Sequence, residues 1–172
     1  MTIKVQQWVI LQLQPRQAKM VDGYSIRRIR KSDYEGVVET LKVLTVVGNL
    51  SRSEFEKIVE YWDSITVSET TKLYNPLVVV DDTTGAIAAT GNVLIERKLI
   101  HEGALCGHIE DIAVSRDHQG RQLGRYLIEQ LTALAVRAGC YKVILDCDPS
   151  NVAFYEKCQF TRAGVEMQFR TT

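Results

Sequence analysis

A short basic turn between an apolar strand and an amphipathic helix is the first stretch of this sequence that could do chemistry. The turn reads Gln119-Gly120-Arg121-Gln122-Leu123-Gly124, and apolar residues then recur at helical spacing as far as Ala135. Glycines at a helix start let a phosphate reach bare backbone N–H groups, and the helix dipole favours its negative charge. The turn therefore suggests a pyrophosphate site, although two nearby glycines also fit an ordinary strand-to-helix connection. It has neither the Gly-Lys-Ser/Thr of a P-loop nor the spacing G-x-G-x-x-G.

Three carboxylates form a second candidate set. Glu110 and Asp111 interrupt the apolar strand before the turn, and Asp146 ends the next apolar run. Carboxylates in such strands are costly to bury unless they are paired. They could be structural, satisfied by arginine or backbone N–H groups.

Strands and helices mix along the chain around these residues. A strand at 24–29 precedes a capping box, Ser32-x-x-Glu35, and a helix reaching Leu44. A second helix, capped by Ser51 or Ser53, should bury Phe55, Ile58, Val59 and Trp62. Residues 64–75 read as a polar linker. Strands are then predicted at 77–80, 86–100, 109–114, 142–147 and 165–169, with helices at 122–138, closed by Gly139, and at 149–157, opened by Asp148-Pro149.

Length and composition indicate one globular domain, and the order of the predicted elements makes it a mixed α/β domain, of the α+β type. The 172 residues are 45% hydrophobic and 24% charged with zero net charge, which argues against a broad nucleic-acid footprint. No apolar run approaches the ~20 residues that span a bilayer. We expect residues 1–23 to be an arm and 24–172 to be the domain. The four cysteines show no C-x-x-C pair or zinc spacing, so free thiols, no metal and a cytoplasmic location are expected.

The basic turn resembles the acetyl-CoA turn of the Gcn5-related N-acetyltransferase (GNAT) superfamily, Q/R-x-x-G-x-G/A, with Gln122 in place of the middle glycine. Longer runs are similar to glucosamine 6-phosphate N-acetyltransferases over about 24–170. They are 41–48, 91–92, 96–98, 106–114, 139–148, 151–158 and 164–170. Gln122 is tolerable if its backbone is right-handed helical, because only positive φ demands glycine. Gln159 replaces a second glycine, so a strained or reshaped helix exit is expected there.

The resemblance implies the GNAT fold, a mixed, mostly antiparallel sheet flanked by helices. It also implies direct acetyl transfer from acetyl-CoA to the 2-amino group of D-glucosamine 6-phosphate, a step of UDP-N-acetylglucosamine biosynthesis, in a homodimer with shared sites. The expected donor-binding residues are Ile112, Ala113, Val114, Gln119, Gly120, Arg121, Gln122, Leu123, Gly124, Arg125, Asn151, Tyr155, Glu156 and Lys157. The expected sugar-binding residues are Thr45, Lys98, Leu99, Ile100, His101, Glu110, Asp111, Ile112, Tyr141, Lys142, Asp146 and Arg170.

Catalytic roles follow from the same resemblance. Tyr155 would protonate the leaving CoA thiolate, because a phenol with a pKa near 10 stays protonated at pH 7. Asp146 would orient the amine or help its proton leave, while Glu110 and Asp111 lie against the sugar. Which group is the base, and whether a water intervenes, stays open. Arg170 would reach the sugar phosphate of the partner subunit.

Three alternatives remain at this point. Cys147 or Cys158 could form a covalent acetyl-enzyme, but neither has a histidine nearby in the sequence. The acceptor could be a protein or polyamine amine, although the cations at 98, 101, 142 and 170 suit an anionic acceptor better. The chain could also be an inactive acetyl-CoA-binding module, as the two glutamines at glycine positions would allow.

Overall fold

A five-stranded sheet with helices on both faces organises residues 20–171, the part of the chain that this computed structural model describes. The strands are β1 (Tyr24–Arg28), β2 (Thr66–Ser68), β3 (Thr71–Lys72), β4 (Leu77–Asp81), β5 (Ile87–Arg97), β6 (Leu105–Val114) and β7 (Cys140–Ile144). The helices are α1 (Tyr34–Leu41), α2 (Arg52–Ser64), α3 (Leu123–Arg137) and α4 (Val152–Lys157). The sheet order is β1-β4-β5-β6-β7, antiparallel except for the β6–β7 pair. The predicted mixed, mostly antiparallel architecture is confirmed.

Two apolar cores lie on opposite faces of this sheet. On one face α3 buries Leu127 and Leu131 completely against Val79, Val93 and neighbouring strand residues. On the other face α1 and α2 contribute Val37, Phe55 and Val59, which pack against alternate residues of β4. Because successive side chains of a strand point to opposite faces, the apolar run of β4 supplies both cores at once.

The two N-terminal helices begin in different ways. The Ser51 hydroxyl accepts from the Glu54 N–H at 3.2 Å and the Glu54 carboxylate accepts from the Ser51 N–H at 3.0 Å, so the predicted capping box of α2 is confirmed. The predicted box at Ser32 is wrong. A 3₁₀ turn at Lys31–Asp33 comes first, and buried Asp33 accepts from the Arg30 N–H at 2.7 Å while pairing with the Arg27 guanidinium.

Several predicted boundaries also need correction. Helix α1 ends at Leu41 rather than Leu44, and Ile58 on α2 is exposed rather than buried. The predicted linker at 64–75 contains the β2–β3 hairpin and the buried Asn75, whose N–H donates to the Asn92 side chain. Strand β7 stops at Ile144, so Asp146 follows the strand instead of lying in it.

The C-terminal segment departs furthest from its prediction. The alternation of 165–169 predicts a strand, but residues 160–171 form neither strand nor helix in the described chain. The apolar side chains of Val165, Met167 and Phe169 are 87%, 89% and 91% exposed. A strand needs a hydrogen-bonded neighbour, and the rest of the described chain does not supply one here.

Residues 20–23 are packed onto the sheet ahead of β1. Val21 contacts the α3 core and its carbonyl accepts from the Tyr24 N–H at 3.1 Å, while the Gly23 carbonyl accepts from the Asp82 N–H at 2.9 Å. The remainder of the predicted arm, 1–19, lies outside the described residues. Within 20–171, no helix is both long enough and apolar enough to cross a membrane.

Candidate active site

The centre of the candidate site is an interrupted edge of β6. Pairing between β6 and β7 runs only from Leu105 to His108, so the β7 side of 109–114 has no strand partner among the described residues. An extended ligand can therefore bind there as an added strand would, through main-chain groups. The structure places Ile112, Ala113 and Val114, all predicted to contact the donor, along this edge.

A β-bulge occupies the middle of β6, opposite Gly91. Thr90 pairs with Ala113 and Asn92 with Glu110, which leaves two β6 residues facing one β5 residue. Asp111 adopts φ 55 within the bulge, a left-handed conformation that is uncommon for a residue other than glycine. A Cβ at Gly91 would lie 2.3 Å from Ile112 Cδ1 and 3.2 Å from Leu127 Cδ2, so a larger residue there would require these side chains to move.

The three predicted carboxylates come together beside this bulge. Partial shielding from solvent raises the pKa of Glu110, and the charges of Asp111 and Asp146 raise it further. All three residues stay accessible at the surface, with Asp146 in the loop after β7. Carboxylates that repel one another while facing solvent fit a site for an amine or a polyhydroxylated ligand better than a structural ion pair.

A neighbouring contact between His108 and Glu96 was not predicted. His108 Nε2 lies 2.9 Å from the Glu96 carboxylate, which also accepts from the Lys98 ammonium at 2.6 Å. Lys98, expected to bind phosphate, is therefore already paired, and Glu96 raises its pKa. The alternation of strand residues could have placed His108 on the same face as Glu110. Its pairing with Glu96 depends on the β5–β6 register, which no local pattern reveals.

The other predicted sugar-binding residues fall into one cluster and two outliers. The rings of His101 and Tyr141 contact at 4.6 Å between centroids, and the Lys142 ammonium lies 5.5 Å from the Tyr141 centroid. Leu99 is fully exposed and Ile100 is 60% exposed next to them. Thr45 instead follows α1, and Arg170 lies in the exposed C-terminal segment, where its Nε donates to Gln168.

The basic turn forms the start of α3, as predicted, but its backbone differs in one respect. Gln122 adopts φ 63 and ψ 13, so it is left-handed and not the right-handed residue that would tolerate a side chain easily. Gly120 also has positive φ, and the first α3 hydrogen bond closes at Tyr126 N–H. The N–H groups of Leu123, Gly124 and Arg125 therefore lack intrahelical partners, as anion binding at a helix start requires.

Side chains around the turn shape the surrounding surface. Arg121 and Arg125 border a groove of about 330 Å³ that also contacts Asp22 and Glu129. Arg125 is paired with Glu129 at 2.7 Å. The Gln119 amide donates to the Val114 carbonyl at 3.3 Å, which joins the turn to the open edge of β6.

Tyr155 lies on the short helix α4, which begins after Asn151 and also carries Glu156 and Lys157. Its ring packs edge-on against Phe154 and Phe160, with centroids 5.0 and 6.3 Å away. Burial raises the pKa of Tyr155, and the neighbouring thiols of Cys147 and Cys158 add to the shift when they are charged. The phenol is therefore held protonated, as a proton donor must be.

The exit from α4 explains the second replaced glycine. The N–H groups of Gln159 and Phe160 donate to the Glu156 and Tyr155 carbonyls at 3.0 and 3.1 Å, which is a Schellman motif. Gln159 occupies its left-handed position with φ 71. The expectation of a strained exit is therefore confirmed, and both hydrogen bonds of the Schellman motif form even though the residue is not glycine.

The cysteines of the site region are free thiols. Burial raises the pKa of Cys158, which is 6% exposed, and raises that of Cys140 to about 11. A thiol must ionise to act as a nucleophile, so Cys158 is poorly suited to carry an acetyl group.

Comparisons with known proteins agree with this geometry. Residues 41–160 match the model of the acetyltransferase (GNAT) family. The chain is 46% identical over 149 residues to a glucosamine 6-phosphate N-acetyltransferase of Candida albicans, covering 86% of this chain and 96% of that protein. A relative of the same name from Dictyostelium discoideum is 41% identical, with 85% and 90% covered.

The solved structure of glucosamine-6-phosphate N-acetyltransferase from Arabidopsis thaliana superposes with a TM-score of 0.80 at 36% identity. The match covers 87% of this chain and 99% of that one. The chain therefore belongs to the acetyltransferase (GNAT) family, in the group of the glucosamine 6-phosphate N-acetyltransferases.

Proposed function

We propose that this protein transfers the acetyl group of acetyl-CoA to the 2-amino group of D-glucosamine 6-phosphate, releasing N-acetyl-D-glucosamine 6-phosphate and CoA. The observation that carries the proposal is the likeness to the Candida albicans enzyme over 96% of that protein. The reaction forms one C–N bond and breaks one C–S bond. The amine loses a proton, and the thiolate gains one.

The donor site consists of the open β6 edge and the basic turn. The main chain of 112–114 would pair with the pantetheine arm, and an N–H there would polarise the acetyl carbonyl. The N–H groups of residues 123–125 and the Arg121 guanidinium would bind the diphosphate. Acetyl-CoA supplies an activated thioester, so no enzyme nucleophile is required.

The acceptor site consists of the carboxylate cluster. Asp146 and Glu110 would orient the sugar amine and receive its proton, directly or through a water. Tyr155 would give its phenolic proton to the departing sulfur. The raised pKa of the Glu110 carboxyl makes it a stronger base, and the raised pKa of the Tyr155 phenol keeps it protonated.

The sugar phosphate requires cations, and we propose that a homodimer supplies them. His101 and Lys142 lie together on one subunit. Arg170 lies at the end of an exposed segment whose apolar residues alternate in strand fashion. A second copy would give that segment a strand partner, cover Val165, Met167 and Phe169, and bring Arg170 to the partner's phosphate site. In the cell we propose a cytoplasmic enzyme acting in UDP-N-acetylglucosamine biosynthesis.

A panel of acceptors tests this function. Purified protein is incubated with acetyl-CoA and, in separate reactions, glucosamine 6-phosphate, glucosamine, spermidine or a lysine peptide, and free thiol is measured. We expect glucosamine 6-phosphate to have the highest kcat/KM. A preference for spermidine or the peptide would reassign the acceptor, and CoA binding without turnover would support an inactive binding module instead.

A further inference from the structure

A network of four side-chain contacts joins the basic turn to the beginning of β1 and the end of β4. The Arg121 guanidinium donates to the Tyr24 hydroxyl at 2.9 Å. The Tyr24 ring packs edge-on against the His118 ring, with centroids 5.8 Å apart and planes at 83°. His118 is held at Nδ1 by the Ser115 hydroxyl, 2.9 Å away, and at Nε2 by the Asp81 carboxylate, 3.3 Å away.

The last residue of this network, Asp81, is fixed by backbone contacts. The Asp81 carboxylate accepts from the N–H groups of Thr83 and Thr84 at 2.8 and 3.2 Å, which hold its pKa below its usual range. Asp81 is also the strand partner of Tyr24 in the β1–β4 ladder. Tyr24 itself is only 7% exposed. The phenol that meets Arg121 is therefore anchored by the sheet and has little freedom to move.

Arg121 differs from Arg125 in what holds it. Arg125 is paired with the Glu129 carboxylate, which offsets its charge. Arg121 forms no ion pair with any residue of the described part of the chain, and its acceptor is a neutral hydroxyl. A neutral acceptor orients the guanidinium without cancelling its charge, and a side chain already held in place loses less conformational freedom when an anion binds.

We propose that Tyr24 is a positioning residue for the diphosphate of the acetyl donor. It holds Arg121 at the start of α3 with its positive charge intact, and the Ser115–His118–Asp81 contacts fix the Tyr24 ring. The inference rests on the proposed function, because it assumes that the basic turn binds the diphosphate of acetyl-CoA.

Tyr24→Phe tests the inference, because phenylalanine keeps the ring against His118 and removes only the acceptor. Calorimetric titration should show CoA binding weakened roughly two- to tenfold, as expected for one lost hydrogen bond. The KM for acetyl-CoA should rise by the same factor with kcat unchanged. The KM for S-acetylpantetheine, which lacks the diphosphate, should not change. Tyr34→Phe is the matched control, since it removes one hydroxyl hydrogen bond of 2.7 Å, to the Leu50 carbonyl beside α1.

A double-variant cycle separates positioning from general structural support. In an Arg121→Met background, Tyr24→Phe should weaken CoA binding no further, because its effect passes through Arg121. An equal loss in that background, or an equal loss with S-acetylpantetheine, would overturn the inference. So would unchanged CoA affinity in Tyr24→Phe. Absence of CoA binding by the wild-type protein would instead refute the proposed function, and the inference with it.

Discussion

Tyr155 combines a rigid ring with a hydroxyl that is held protonated. Phe154 and Phe160 fix the ring, and burial raises the pKa of the phenol. We expect Tyr155→Phe to lower kcat by roughly 10²–10⁴-fold, the usual contribution of a general acid, with little change in CoA affinity. Stopped-flow and titration measurements check the two parameters separately. Tyr61→Phe, at an exposed position on α2, should change neither. Unchanged kcat in Tyr155→Phe, with chemistry rate-limiting, would remove the acid role.

Glu110 should link stability to pH in a direction that follows from its raised pKa. Above that pKa, the ionised group is less favourable in the folded chain than in the unfolded one. Below the unfolded value of about 4.3 both states bind the proton and the difference disappears. Glu110→Gln is therefore expected to have a higher free energy of unfolding than wild type at pH 8, with the gap shrinking towards pH 5.

Urea titrations at the two pH values measure this gap. Glu39→Gln provides a control of opposite sign, because its hydrogen bond with Lys42 lowers the pKa of Glu39. A gap at Glu110 that widens as the pH falls would contradict the raised pKa.

Individual residues of the candidate site could be predicted from the sequence only where they belong to a motif of consecutive positions. The run at 109–114, the turn at 119–124 and the Tyr155 helix belong to that class. The Glu96–His108 and Arg121–Tyr24 contacts join residues 12 and 97 positions apart in the sequence. They depend on strand register and on how the turn packs, and neither is recorded in a local pattern.

At the level of helices and turns, two glutamines occupy left-handed backbone positions, one before α3 and one after α4. Gln122 precedes α3 with φ 63, and Gln159 follows α4 with φ 71. Replacing either by glycine should raise the free energy of unfolding by about 0.5–1 kcal/mol, since relief of left-handed strain exceeds the added chain entropy of glycine. Chemical denaturation measures the effect.

The same substitution inside a helix provides the control. Gln130→Gly lies in the interior of α3 and should cost about 1 kcal/mol. A loss of stability at Gln122→Gly equal to that at Gln130→Gly would show that residue 122 is not left-handed.

Helices and strands whose ends are determined by residues close in the sequence were predicted well. Those that depend on partners distant in the sequence were not. The Ser51 capping box, the apolar stripe of α3 and the closing Gly139 need only neighbours within a few residues. The start of α1 depends on Arg27 pairing with Asp33 across a turn, so the Ser32 prediction failed. The alternation at 165–169 has the period of a strand, but a strand also requires a partner, and the described chain offers none.

For the whole molecule, the proposed homodimer would link assembly to sugar specificity through the exposed C-terminal segment. If Arg170 supplies phosphate charge across a homodimer, Arg170→Ala should raise the KM for glucosamine 6-phosphate roughly ten- to a hundredfold, the effect of losing a charge-assisted hydrogen bond. CoA affinity should hardly change. Unphosphorylated glucosamine should be nearly indifferent to the substitution, and equal sensitivity of both sugars would reject the phosphate role.

Mixed dimers distinguish supply within a subunit from supply between subunits. Arg170→Ala chains are exchanged with Tyr155→Phe chains, and dimer formation is verified by native mass spectrometry. If Arg170 acts on the partner's site, each mixed dimer has one site with both defects and one with neither, so activity should partly return. Verified mixed dimers without any recovery would assign Arg170 to its own subunit.

Product analysis tests the central claim most directly. The protein is incubated with acetyl-CoA labelled with ¹³C in the acetyl group and with glucosamine 6-phosphate, and the sugar is examined by mass spectrometry and NMR. Direct transfer at the proposed site predicts that the label appears in an amide on the 2-amino nitrogen in step with CoA release. The account would be contradicted if no labelled sugar formed, or if acetyl-CoA were hydrolysed while the sugar amine stayed free.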